Sequence, residues 1–320
     1  MPSDDPFFIV GSSRSGTTLL RLMINGHSRL HIPPETWFLL PLIAKLPLTD
    51  TLDAESVADA IAIITNHFRW GDMKMDALEF RREALLLEKP RLRDIMDLIY
   101  RRHLATVAKP RFGDKTPLYV GIVPQLAVIY PGARFIHLIR DGRDVAISFI
   151  DAGFEGRVYD GKRFEWINAV HKGLEYRQAS VAEAILEVRY EDLVASPEQT
   201  LRKICHFIGE AFEEKMLSYA DRVDMVPKRG EQIHTKLNKP LKDDAIGVWK
   251  TKLSGPACFV MEACLYRELQ RLGYPLRFGS AIWRPFMAVL AWVLRGCAPF
   301  LDRLIPALRR RSLLPKRIYF

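Results

Sequence analysis

A chain of 320 residues with 48% apolar content and no low-complexity tract is long enough to bury a core in one large globular domain plus an appendage. The formal charge is +9, but residues 276–320 hold nine basic residues against Asp302 alone. The other 275 residues therefore sum to +1, which excludes a body-wide nucleic-acid surface.

In chain order, the opening MPSDDPFFIVG has neither the basic region nor the long apolar run of a signal peptide, and no spanning helix follows, so a cytoplasmic protein is expected. The apolar run 7–10 ends in glycine and reads as a buried parallel strand, and residues 17–25 then read as a helix with Leu19, Leu22 and Met23 on one side. Residues 53–68 and 91–107 show amphipathic helical spacing. Residues 134–139 are a second strand candidate, ending in Arg140-Asp141-Gly142-Arg143 where strand ends open onto a site, with a helical stretch over 145–149. Residues 185–190 are a third. They precede a helix with Ser196 as N-cap, Pro197 at its first position, Gln199 completing a capping box, and Gly209 as its stop; Leu201, Ile204, Cys205 and Ile208 form its buried stripe. Cys205, Cys258, Cys264 and Cys297 lie in apolar segments without CxxC or Cys/His ligand spacing, which predicts reduced thiols and neither a disulfide framework nor a metal site. Alternating strands and helices predict an α/β fold: a central, mostly parallel sheet flanked by helices, with helical insertions and a C-terminal amphipathic appendage. The expected division is 1–275 for the nucleotide-binding body and 276–320 for the basic appendage.

The segment Gly11-Ser12-Ser13-Arg14-Ser15-Gly16-Thr17-Thr18 nearly matches the triphosphate loop GxxxxGK[ST], whose glycines let backbone N–H groups approach phosphate at a helix N-terminus. It departs at one position. Thr17 stands where a lysine should reach the β- and γ-phosphates, and the loop's cation, Arg14, lies three residues earlier. RSGTTLLRLMINGHSRL resembles the 5′-phosphosulfate loop of sulfotransferases that use 3′-phosphoadenosine 5′-phosphosulfate (PAPS), in the style of the tyrosylprotein and related bacterial branch.

The resemblance implies PAPS as co-substrate and no metal. It implies that Arg14 polarises the oxygen bridging phosphorus and sulfur, and that Ser15, Gly16, Thr17 and Thr18 bind the 5′-phosphate. The run from Phe135 to Ser148 resembles the family's second motif, in which Arg140 and Ser148 bind the 3′-phosphate. A dianionic 3′-phosphate separates PAPS from ATP, and guanidinium grips phosphate bidentately. Glu35, in His31-Ile32-Pro33-Pro34-Glu35-Thr36, matches the branch's catalytic glutamate and is the expected general base. Other members use histidine, which makes His27 and His31 the alternatives. Lys115, in Gly113-Asp114-Lys115-Thr116-Pro117, matches a lysine that assists at the sulfonate. Lys239-Pro240, near Trp249, resembles the late loop that closes over the nucleotide, and Thr235 is the nearest counterpart of its serine. Tyr190 fits a position near the 3′-phosphate or adenine, or else a core tyrosine.

The function implied is sulfonate transfer from PAPS to an acceptor hydroxyl by in-line displacement. The rival readings are a P-loop kinase using ATP, which Thr17 disfavours, and a non-catalytic nucleotide-binding protein held at a membrane. From residue 281, apolar and aromatic residues (Ile282, Trp283, Phe286, Val289, Leu290, Trp292, Val293, Leu294) are interrupted by arginines and followed by Arg309-Arg310-Arg311. Such a tail suits peripheral contact with anionic lipid, or packing on the body or a second subunit. Acceptor specificity is expected in the variable insertions 41–111 and 151–181, where a lipid or glycolipid is one candidate among several hydroxyl compounds.

Overall fold

The computed structural model describes residues 5–152, 163–227 and 245–280, with positions 283, 285, 286 and 289. In chain order the elements are β1 (Phe7–Gly11), α1 (Thr17–Ile24), β2 (Leu30–His31), α2 (Leu39–Lys45), α3 (Ala54–Thr65), α4 (Ala77–Leu85), α5 (Leu92–Val107), β3 (Arg111–Lys115), α6 (Val123–Ile129), β4 (Arg134–Ile139), α7 (Gly142–Asp151), α8 (Arg163–Tyr176), β5 (Ile185–Arg189), α9 (Tyr190–Ala195), α10 (Pro197–Ile208), α11 (Trp249–Lys252) and α12 (Gly255–Arg271). They form two compact units, Met1–Ile139 with Lys172–Leu241, and Arg140–His171 with Lys242–Phe320.

The first unit holds a five-stranded sheet in the order β2-β3-β1-β4-β5, with every pair parallel. The expected parallel α/β architecture is what the chain builds. β1 is buried along its whole length, because helices cover both faces of a parallel sheet and its strands read as continuous apolar runs. The chain leaves β1 toward β2 and β3 on one side and reaches β4 and β5 on the other. The order thus reverses at β1, and the segment after β1 lies at the switch point where such sheets bind ligands.

Three sequence expectations need adjustment. The strand 185–190 ends at Arg189, and Tyr190 opens α9. The helix read over 145–149 starts at Gly142, capped by the Asp141 side chain on Arg143 N. α10 starts at Pro197 and stops at Gly209 (φ 78°) as read, but Ser196 makes no side-chain cap, so there is no capping box. Ser196 also terminates α9, its N–H donating to Asp192 O at 2.8 Å, and one residue serving both ends takes a backbone (φ −141°, ψ 67°) set by the junction. β3, Arg-Phe-Gly-Asp-Lys, is a central strand that the sequence pattern did not reveal.

In the second unit, Arg143 is fully buried between Asp141 and Glu262, with its guanidinium 3.6 Å from the centre of the Trp249 ring. It is a packing cation of this unit and not, as its place in the Arg-Asp-Gly-Arg run suggested, a group opening onto a site. Ile147, Trp249, Leu253, Ala257 and Cys258 form the adjoining core. Cys205, Cys258 and Cys264 are buried thiols, while Cys297 lies outside the described residues. Among the described residues no helix is long and apolar enough to cross a membrane.

Candidate active site

The loop from Ser12 to Gly16 joins β1 to α1. Gly11 has φ 147°, and a Cβ there would fall 2.5 Å from Leu138 O on β4, so the strand end must be glycine. Gly16 (φ 93°) is the N-cap of α1. A Cβ on it would fall 2.3 Å from Tyr190 Cδ2, which places the Tyr190 ring directly against the loop. Arg14 is a non-glycine residue in the left-handed region (φ 67°), a conformation that persists where the surrounding structure imposes it. α1 has no side-chain cap and no acidic residue in its first turn. Ser15 is buried, and its Oγ has no hydrogen-bond partner. A helix N-terminus, an orphaned buried hydroxyl and a glycine that admits close approach together fit a phosphate group.

Glu35 and Lys115 come to the same place by different routes. The fully buried Arg21 of α1 donates from Nε to Ile32 O at 3.1 Å, and Asn25 holds both the carbonyl and the N–H of Ile32. These bonds tie the segment before Pro33-Pro34-Glu35 to the loop's own helix. Burial lowers the Arg21 pKa to about 10. Lys115 ends β3 and pairs with Glu35 Oε1; its Nζ also lies 3.2 Å from Thr18 Oγ1 in α1. Glu35 Oε2 accepts from Trp37 Nε1 at 2.6 Å and from Arg69 at 3.2 Å. Burial alone raises the Glu35 pKa, but the Lys115 charge and hydrogen bond, Trp37 and Arg69 outweigh it and hold the carboxyl at about 2. Burial lowers the pKa of Lys115.

The neighbours of this pair are linked to each other. Thr36 Oγ1 donates to Asp114 Oδ2 at 2.8 Å, Tyr100 OH donates to the same oxygen at 2.9 Å, and Tyr119 OH lies 2.6 Å from Thr36 Oγ1. Thr36 N donates to Thr116 Oγ1 at 3.2 Å. Burial raises the Asp114 pKa to about 6, and the hydrogen bonds from Thr36, Thr116 and Tyr100 hold it from going higher. Glu35-Thr36 is therefore strapped to Asp114-Lys115-Thr116 along consecutive residues. Trp37, Thr36, Arg69 and Asp114 were missed in the sequence. Thr36 and Asp114 sat inside the quoted motifs, whereas nothing links Arg69 to Glu35 across 34 residues.

The alternative bases are placed otherwise. His27 Nε2 lies 2.8 Å from Ala211 O, and its Nδ1 accepts from Arg29 N, so both ring nitrogens are used structurally. Burial, then the His103, Arg21 and Lys109 charges, lowers His31 to about 3. In the second unit, Arg140 is buried and donates to Ala245 O at 2.8 Å. Ser148 shares a face of α7 with Asp144, whose carboxylate accepts from Gly247 N and Trp249 N. Lys239 and Thr235 lie outside the described residues. Among the described residues, no group of three His, Cys, Asp or Glu could hold a metal ion.

The sequence profile of the sulfotransferase family matches residues 6–214. Protein-tyrosine sulfotransferase 1 of Danio rerio is 27% identical over 282 residues, covering 83% of this chain and 71% of that protein. The protein-tyrosine sulfotransferase of Drosophila melanogaster is 26% identical over 283 residues, and the match takes in 83% of this chain but about half, 51%, of the fly protein. Among solved structures, the sulfotransferase domain of the Synechococcus PCC 7002 olefin synthase has the same fold (TM-score 0.63, 23% identity, 86% of this chain and 98% of that one). So does the sulfotransferase domain of the curacin biosynthetic pathway (TM-score 0.60, 22% identity, 86% and 100%). A kinase reading gives way to these matches, and the chain belongs to the sulfotransferase family, PAPS-dependent enzymes that place a sulfonate group on an acceptor hydroxyl.

Proposed function

We propose that the chain transfers sulfonate from PAPS to an acceptor hydroxyl with Glu35 as general base. The observation that carries this reading is the Glu35–Lys115 pair set 3.2 Å from Thr18 in the loop helix: an ionised carboxylate and a buried cation beside the phosphate cradle. PAPS supplies a sulfonate whose bond to a phosphate oxygen breaks as the acceptor oxygen bonds to sulfur. The Ser15 hydroxyl and the N-terminal N–H groups of α1 hold the 5′-phosphate, with Gly16, Thr17 and Thr18. Glu35 takes the hydroxyl proton, and Lys115 and Arg14 stabilise negative charge as it develops. Arg140 and Ser148 are assigned to the 3′-phosphate, and Tyr190 to the nucleotide side of the loop. The catalytic body is assigned to residues 1–275, which take in parts of both compact units, and the basic appendage to residues 276–320.

The test is Glu35→Gln. Transfer of labelled sulfonate should fall about a hundredfold or more, while the affinity for adenosine 3′,5′-bisphosphate stays within twofold of the parent. Loss of nucleotide affinity makes Glu35 a structural residue and ends its assignment as base.

A second reading concerns location. Trp283 packs edge-on against Phe259 and Phe278, while Phe286 and Val289 are 62% and 63% exposed at the start of the segment that carries +8 of the chain's charge, which supports peripheral contact of that exposed stretch with anionic lipid. A lipid or glycolipid hydroxyl is the acceptor such contact would suit.

A further inference from the structure

Resting on the assignment of Glu35 as base, we infer that Arg69 is a positioning residue of the reaction: with Trp37 it fills Oε2 of Glu35, so that the acceptor proton passes to Oε1. An ionised carboxylate offers about two acceptor sites on each oxygen. Oε2 accepts from Trp37 Nε1 at 2.6 Å and from Arg69 Nη2 at 3.2 Å, which occupies both of its sites. Among the described residues Oε1 has one donor, Lys115 Nζ. The open site is therefore on Oε1. Lys115 Nζ lies 3.2 Å from Thr18 Oγ1 in α1, so this is the oxygen tied to the helix of the phosphate loop.

Arg69 is itself held in place. Its Nη1 donates to Asp72 Oδ2 at 3.2 Å, and its backbone N–H donates to His67 Nδ1 at 3.2 Å. The guanidinium lies 5.8 Å from the centre of the Trp37 ring and 5.3 Å from that of Phe68, and the side chain is only 19% exposed. A planar fork can serve Glu35 with one Nη and Asp72 with the other, whereas an ammonium has no such fixed geometry. Trp37 reaches Oε2 from a left-handed backbone (φ 53°) and supplies a single N–H. Without Arg69 a site would open on Oε2, and an acceptor hydroxyl could bind at the oxygen that Lys115 does not hold.

The step balances on these atoms. The acceptor oxygen bonds to sulfur while its O–H bond breaks and the proton bonds to Oε1. The bond from sulfur to the phosphate oxygen breaks, its electron pair leaves on adenosine 3′,5′-bisphosphate, and Oε1 later releases the proton to solvent. Transfer at Oε1 brings the acceptor oxygen to Lys115 and Thr18, so base and cation serve one reacting centre. Transfer at Oε2 would part them.

The experiment is a double-mutant cycle on the full chain, read as single-turnover hydrolysis of labelled PAPS with enzyme in excess, water standing in for the acceptor hydroxyl. Arg69→Met keeps an apolar stem and removes the fork. Its rate should fall about tenfold, while affinity for adenosine 3′,5′-bisphosphate stays within twofold of the parent. Arg69→Lys, which returns a charged donor, should recover at least part of the loss. In the Glu35→Gln background Arg69→Met should change the rate by less than twofold, because Arg69 acts through the carboxylate. An unchanged rate in Arg69→Met, no recovery in Arg69→Lys, an equal fall in both backgrounds, or a lost nucleotide affinity overturns the positioning role. Glu35→Gln as fast as the parent, or a parent no faster than buffer, overturns instead the assignment of function on which it rests.

Discussion

Thr36→Val separates positioning from packing at the Glu35–Lys115 pair. Valine keeps the shape of threonine and removes the hydroxyl that donates to Asp114 Oδ2 at 2.8 Å and meets Tyr119 OH at 2.6 Å. Asp114 is fully buried, and losing one hydrogen bond to a buried charged group costs about 1.5–3 kcal/mol. At ~2–4 °C per kcal/mol for a large domain, the midpoint of thermal unfolding should fall by roughly 3–12 °C. The pH dependence has a definite sign. The folded Asp114 pKa, about 6, lies above the ordinary value of 3.8, so the carboxyl is ionised and needs its donors above pH 6 and is neutral below it. The loss in Thr36→Val should therefore be largest near pH 8 and shrink as pH falls through 6. Turnover should drop further than stability explains, because Thr36 follows Glu35 and Asp114 precedes Lys115; a displacement of about 1 Å at the pair can cost on the order of a hundredfold. Thr36→Ser should restore most of it. The assays are thermal unfolding from pH 5 to 8 and steady-state sulfonate transfer with separate kcat and KM. A variant that loses the expected thermal stability yet keeps kcat within twofold refutes the positioning role.

Two further outcomes follow from other parts of the molecule. Gly16→Ala places a Cβ within 2.3 Å of the Tyr190 ring at a φ of 93°, so affinity for adenosine 3′,5′-bisphosphate should fall more than tenfold in a titration, and an unchanged affinity would remove Gly16 from the phosphate cradle. Ending the chain at Tyr274 removes Trp283, Phe286, Val289 and the arginines that follow, and should abolish flotation with vesicles containing 30–40% anionic lipid; equal flotation of the full and shortened chains ends the membrane reading.

Much of the sheet and loop was legible because the signals are local. Phe7–Gly11 is a continuous apolar run ending in the one residue the strand end tolerates, and the loop's departure from the triphosphate pattern sits in adjacent residues. β3 was not legible as a strand, since its polar residues are satisfied from far along the chain. Arg111 donates to Asp5 O at 2.6 Å and Ile208 O at 2.7 Å, Asp114 accepts from Tyr100 and Thr36, and Lys115 meets Glu35. Period-two alternation cannot signal a strand whose polar residues are buried by distant partners. The same limit hid Arg69, which reaches Glu35 from an insertion whose sequence carries no mark of it. Glu35 and Lys115 were found through motif resemblance, while the residues that hold them, Thr36, Asp114 and Tyr119, required the fold.

The loop at Gly11 to Thr18 is expected to serve a phosphosulfate donor bearing a 3′-phosphate and not a triphosphate. Calorimetric titration of the full chain with adenosine 3′,5′-bisphosphate and with ATP tests it most directly. The bisphosphate should bind at least a hundredfold more tightly, and Ser15→Ala, which removes the buried hydroxyl without changing the fold, should weaken it about tenfold. Comparable affinity for the two nucleotides, or tighter binding of ATP, would mean that the loop is not a phosphosulfate site.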